Sequence, residues 1–284
     1  MMVTFSGGVR SPIRYRGGFH DRSTEGSTVS GSNAAAANRP RRRTTLIALL
    51  ILFALTGVLI VFGPAIAKNF RIDDGHLYLG PECSVETSGG TSNLSRDEVK
   101  LATTAVALAA RGAQTPDISG IDPAVIQRLA EGPPDDAGPS LRCEGTAADD
   151  LPEQELTPTG LTPRAQHVLE EMTAVFGDQP LGGFAPGGVS QGHGAESTHY
   201  SGRGIDIFFR PITEENRREG WILAQWLIAH ADDLDIQYVI FDDKIWSAHS
   251  SRGHWQTYDA PEPANDILRH RDHVHVDVLR GEPR

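Results

Sequence analysis

The sequence predicts an α+β protein whose chemistry lies in its C-terminal half. Three observations predict it. Helix-period segments occur near 95–111, 122–131, 162–176 and 214–231, the first three with distinct start signals. Period-two segments suited to strands occur near 203–209, 236–246 and 273–279. The strands are joined mostly as hairpins, which indicates a small antiparallel sheet with flanking helices.

Length and charge frame the elements. The 284 residues carry 26 Lys+Arg against 37 Asp+Glu, a net charge of −11, with 39% hydrophobic residues. That composition excludes a wholly disordered chain, a collagen-like repeat and a disulfide-dense miniprotein. An acidic total also argues against nucleic acid as a partner, since phosphate neutralisation needs a basic face. The total is a sum of unlike parts. Residues 1–43 hold eight arginines and two acids, a net of +6, which leaves −17 on residues 44–284.

Residues 1–43 show no apolar period and read as a disordered cytoplasmic tail. From Thr44 to Ala67 the chain has no charge and is dominated by Leu, Ile, Val, Ala and Phe. Such a run spans about 36 Å as a helix, enough for a bilayer core of roughly 30 Å. Arginines crowd its N-terminal flank and a single Lys68 follows it, so the positive-inside rule puts residues 68–284 outside the cell membrane. The competing expectation is secretion after cleavage near Ala67, because Ala65-Ile66-Ala67 has the small-x-small form of a cleavage site. Either way the remainder is exported.

Cys83 and Cys143 are the only cysteines. On the exported side a disulfide between them is expected. Between them, Ser95 and Glu98 form a capping box ahead of a helix that stops near Gly112, and Asp122-Pro123 opens a second helix. Residues 68–145 therefore read as a small disulfide-braced helical module without a catalytic constellation. The acidic, Pro- and Thr-containing stretch 146–160 reads as a linker.

Residues 161–284 form the last domain. Thr162-Pro163 starts a helix, and nine glycines follow between Gly177 and Gly204. A strand near 203–209, a helix at 214–231, a strand at 236–241, an Asp242-Asp243 turn and a final strand at 273–279 complete it. The loop from His249 to Asn265 is polar and long enough to border a site.

Two segments carry the chemistry. In Asp272-His273-Val274-His275-Val276-Asp277 strand alternation puts His273, His275 and Asp277 on one face and the valines on the other. In the segment from Ser197 to Asp206, Ile205 and Ile207 face the core while Asp206 faces away. Gly202 and Gly204 permit a bend that returns His199 to Asp206. Two imidazoles and one carboxylate around zinc would leave a fourth position open for water, as hydrolysis requires. His193, His230, His249, His254 and His270 read mainly as surface or supporting residues. Of these, His230 beside Asp232 and Asp233 suits a helix-end cation, and His254 is the one placed to touch substrate.

At these motifs the chain resembles the LAS superfamily of zinc peptidases, the D-alanyl-D-alanine carboxypeptidase-like group that includes hedgehog-like domains. The resemblance rests on His199-Tyr200-Ser201-Gly202-Arg203-Gly204-Ile205-Asp206 followed by His273-Val274-His275. The stretches Tyr238–Phe241 and Arg271–Val276 are similar to an actinobacterial extracytoplasmic branch. The likeness covers about residues 160–280. It implies His199, Asp206 and His275 as Zn2+ ligands and His273 as the residue that activates water or stabilises the tetrahedral intermediate. It implies peptidoglycan stem peptides as substrates of a carboxypeptidase or endopeptidase.

Related enzymes place an Arg upstream of the first motif, whereas Gly182-Gly183-Phe184-Ala185-Pro186-Gly187 contains none. Arg203, Arg252 and Gln191 are the candidate substitutes for contacting substrate. That departure motivates the alternative expectation of a catalytically inactive zinc- or wall-binding envelope protein of the same fold.

Overall fold

Each predicted helix begins where its capping residue stands. A computed structural model of the chain describes residues 70–73, 76–133, 139–145, 147–148, 150–194, 196–250 and 252–282. The expected tail (1–43), membrane span (44–67) and cleavage point near Ala67 lie outside the described residues. Among the described residues no helix is long and apolar enough to cross a membrane.

Strands β1 (Phe70–Asp73) and β2 (His76–Leu79) pair antiparallel. Next, β3 (Cys83–Thr87), β4 (Gly90–Leu94) and β5 (Leu141–Cys143) form a three-stranded sheet in the order β4-β3-β5. The expected disulfide joins Cys83 to Cys143, which stand opposite each other on β3 and β5. The segment expected to be purely helical thus also carries a sheet. Its strands are only three to five residues long, too short for a clear alternation.

Helix α1 (Arg96–Ala110) has the predicted capping box, with the Ser95 N–H donating to the Glu98 carboxylate at 2.8 Å. Asp122 caps α2 (Pro123–Glu131), Thr162 caps α3 (Pro163–Phe176) and Thr213 caps α4 (Glu214–Ala229). Every residue of α4 from Gly220 to Ala229 is buried. A helix apolar on all sides must be covered on all sides. α4 lies between α1 and α2 on one flank and the main sheet on the other.

That sheet consists of β6 (Leu181–Gly182), β7 (Gly204–Phe208), β8 (Ile236–Phe241), β9 (Lys244–Ser247), β10 (Gln256–Thr257) and β11 (His273–Val278). The order is β10-β9-β8-β11-β7-β6, with every neighbouring pair antiparallel. Asp242 and Asp243 turn β8 into β9 with φ of 50° and 60°, the left-handed pair that a tight hairpin requires. The last strand, β11, inserts in the middle. Its valines join Ile205, Ile207, Val239, Phe241 and Trp221 in the core, leaving the opposite face of β7 and β11 to polar groups.

Residues 68–145 and 161–284 share that core. Val99, Val106 and Leu129 belong to the same buried cluster as Trp226 and Leu227. The Arg96 guanidinium donates to the Ile228 and Glu144 carbonyls and pairs with Asp232 at 3.0 Å. The Trp246 indole donates to the Cys143 carbonyl at 2.9 Å. The intervening stretch expected as a linker, 146–160, has no helix among its described residues, and Pro152 forms an isolated bridge to Glu282.

Candidate metal centre

Register builds the centre. On β11, His275 stands opposite Asp206 of β7 and Ile240 of β8, and His273 stands opposite Phe208. Residues opposed across antiparallel strands point the same way, so His273, His275, Asp206 and Asp277 share one face. His275 Nδ1 is 2.9 Å from Asp206 Oδ1.

His199 arrives from a 3-10 turn, Thr198–Ser201, closed by Gly202 with φ +64°. Glycine adopts that backbone without the steric cost that a Cβ adds. The imidazole then lies against two glycines. A Cβ on Gly204 would be 2.9 Å from His199 Nδ1, and one on Gly183 (φ +83°) would fall inside the ring's own volume. His199 Nε2 ends 3.3 Å from Asp206 Oδ1, and His273 Nε2 ends 3.8 Å from it.

One carboxylate oxygen is therefore the meeting point of three imidazoles. Ligands held about 2.0–2.1 Å from a tetrahedral ion lie roughly 3.3 Å from one another, close to the spacings around Asp206. Burial opposes ionisation of Asp206, but hydrogen bonds from His199 and His275 outweigh it and hold the carboxyl well below its ordinary range. Burial likewise opposes charge on His275, yet Asp206 and Asp277 raise it to about 9. Two buried atoms, His199 Nδ1 and Asp277 Oδ1, have no hydrogen-bond partner among the described residues. Asp277 Oδ2 lies 3.8 Å from His275 Nε2, where a carboxylate supports a ligand imidazole. His193, His199 and Asp206 also each offer a ligand atom within 4.8 Å of the others. This donor set fits a metal ion.

His273 is held differently. Its Nδ1 is 2.7 Å from Asp272 Oδ1, while Asp272 Oδ2 accepts from Arg210 Nε at 2.6 Å. Burial opposes ionisation of Asp272, but His273 and Arg210 hold its carboxyl below the usual range. Arg210 stacks over the Phe208 ring at 4.0 Å and is about half exposed. His270 packs 4.7 Å from His273 and 4.8 Å from Tyr258. Burial pushes His270 down to about 3, so it is a neutral wall.

These groups, Asp272 excepted, open on a cavity of about 760 Å³, whose lining also includes the apolar Ile240, Pro261, Ile267 and Leu268. The four residues expected at the site, His199, Asp206, His273 and His275, all line it. The four expected substrate contacts, Arg203, Arg252, Gln191 and His254, do not, and Arg252 is exposed away from that wall. Arg203 donates instead to Gln237 Oε1 (2.9 Å) and the Val278 carbonyl (2.7 Å), bracing strand ends. His254 lines a separate cleft of about 270 Å³ with Tyr238 and His249. Gln191 is exposed two residues before His193 and is not on the wall.

The arginine that does reach the cavity is Arg210. It was findable, because Asp206, Phe208 and Arg210 continue one strand alternation. His193 gave no such signal within its irregular glycine-rich loop. His230 differs from the expected helix-end cation. Burial pushes it down to about 4, with Lys100 adding to the effect, and its ring lies 4.4 Å from Trp226. It stands at the helix end, half-buried against that indole.

Residues 157–266, less than half of the chain, match a family model described as VldE, C-terminal domain. The matched stretch contains His199 and Asp206 and ends before His273 and His275. No curated protein and no solved structure matches the chain. The family's description names no reaction, so functional inference rests on the geometry of the centre.

Proposed function

We propose that the chain is a membrane-anchored, extracytoplasmic zinc metallopeptidase of LAS type that hydrolyses peptide bonds in peptidoglycan stem peptides. The observation that carries this reading is the convergence of His199, His273 and His275 on Asp206 Oδ1 within one large cavity. The motif spacing supports the LAS assignment. The uncharged run behind an arginine-rich tail, together with the disulfide, supports an exported location.

His199, Asp206 and His275 would hold the ion. When bound there, zinc would supply Lewis acidity for the scissile carbonyl and the attacking water. His273 supplies proton transfer. With Nδ1–H donated to Asp272 Oδ1, its Nε2 is left toward Asp206 and the cavity, within reach of a reacting water. It takes the proton released as water adds to the carbonyl carbon. It returns that proton to the amide nitrogen as the C–N bond breaks, yielding an amine and a carboxylic acid that then loses its proton to solvent. Arg210 fills the part for which Gly182–Gly187 offers no residue. Its outer edge faces the cavity, where it can meet the developing oxyanion or a terminal carboxylate. The apolar wall suits the small methyl side chains of alanine-containing peptides.

The test is to incubate the full-length chain, in detergent with equimolar zinc, with purified peptidoglycan and to follow the fragments by mass spectrometry. New free amino termini that vanish with Asp206→Asn and His273→Ala are expected. Zinc-replete protein that retains wall material without releasing any new terminus would overturn hydrolysis in favour of a wall-binding role.

A further inference from the structure

We propose that His193 is a fourth protein ligand of the metal, one that closes the coordination shell until substrate displaces it. The inference rests on the metal-centre reading above and adds a residue to it. The His193 ring stacks on His199 with centroids 4.1 Å apart and planes inclined by 33°. Its nearest ligand atom lies within 4.8 Å of those of both His199 and Asp206.

The placement is built by specific contacts. The Tyr200 hydroxyl donates to the His193 carbonyl at 2.6 Å and accepts from the His193 N–H at 3.0 Å. Tyr200 follows His199 in the same 3-10 turn, so one short turn carries the His199 imidazole and clamps the backbone of His193. The backbone of His193 is thus clamped while its ring makes no hydrogen bond to a described residue. Two other imidazoles near the centre each have a ring nitrogen engaged. His273 Nδ1 is engaged by Asp272, and His270 Nδ1 lies 3.2 Å from the Leu268 carbonyl.

The consequence follows from zinc's preference for four ligands. His199, Asp206 and His275 leave one position open, and adding His193 fills it. His193 is exposed on the cavity rim whereas His199 and Asp206 are buried. It is therefore the ligand a peptide entering from solvent meets first and the one whose removal leaves the rest of the shell in place.

The experiment uses the full-length chain and zinc alone. Zinc affinity is measured by competition with a chromogenic chelator, and coordinating imidazoles are counted by X-ray absorption. The wild type is expected to show three imidazoles. His193→Ala should show two and bind zinc roughly 10–100-fold more weakly, and His193→Asp, which restores a ligand atom, should recover most of the affinity. Tyr200→Phe, which loses the clamp, should fall between. An unchanged imidazole count and affinity in His193→Ala, with the wild type stoichiometrically loaded, would overturn the proposal and leave the metal centre standing. A wild type that takes up no zinc would instead remove the centre itself.

Discussion

His275 Nδ1 and Asp206 Oδ1 are 2.9 Å apart because their residues face each other across β7 and β11. Neighbouring strands of a sheet fix that separation before any ligand is present. The sheet therefore presents a carboxylate and an imidazole at ligand spacing, and the loops need only deliver His199.

Asp206→Asn in the metal-free protein should be destabilising. The carboxylate stands among three imidazoles, and removing one partner of a buried charged pair costs about 3–5 kcal/mol. Urea unfolding of the chelator-treated protein checks this, with a stability equal to wild type as the contrary result.

Asp272→Asn should act on turnover and not on the metal. Asp272 fixes the His273 tautomer through the 2.7 Å contact at Nδ1 and is itself anchored by Arg210. Loss of that orientation is expected to lower kcat roughly 10²-fold while zinc affinity stays within about threefold of wild type. Paired kinetics and zinc titration separate the two effects. An equal loss in both would make Asp272 a structural support instead.

Gly183→Ala should weaken metal binding although residue 183 donates no ligand. Its φ of +83° strains any side chain, and the new Cβ would collide with His199. A displaced ligand imidazole is expected to lower zinc affinity roughly 10–100-fold. Circular dichroism matching wild type, with the affinity loss present, would locate the effect at His199.

His230 gives a pH dependence remote from the centre. Burial lowers it from 6.5 to about 4, so between those values the unfolded chain binds the proton and the folded chain does not. Stability linked to His230 is therefore intact above pH 6.5 and is lost as pH falls towards 4. At pH 4.5 the loss should approach roughly 2–3 kcal/mol relative to pH 7. His230→Gln should show a correspondingly flatter profile in urea titrations at the two pH values.

Local signals were legible where one residue type has one use. Ser95 with Glu98, Asp122-Pro123 and Thr162-Pro163 mark helix starts, and Asp242-Asp243 marks a hairpin, because each satisfies a backbone need that few residues meet. Alternation around His273–Val278 and Ile205–Ile207 revealed which face holds His273, His275 and Asp206. What was hidden depends on tertiary register or irregular loops. His193 reaches His199 only through the Tyr200 clamp, and Arg203 was drawn away by acceptors on β8 and β11. His230 looked exposed beside two aspartates, yet it lies against Trp226. The shared core of residues 68–145 and 161–284 was also hidden, since the apolar run of α4 does not say which elements cover its two flanks.

The most direct test is calorimetric titration of Zn2+ into the chelator-stripped full-length chain and its Asp206→Asn variant. One ion per wild-type chain, with at least roughly 10²-fold weaker binding in Asp206→Asn, is the expected result. No zinc uptake by the wild type, or uptake that ignores the loss of Asp206, would contradict a metal centre at this site.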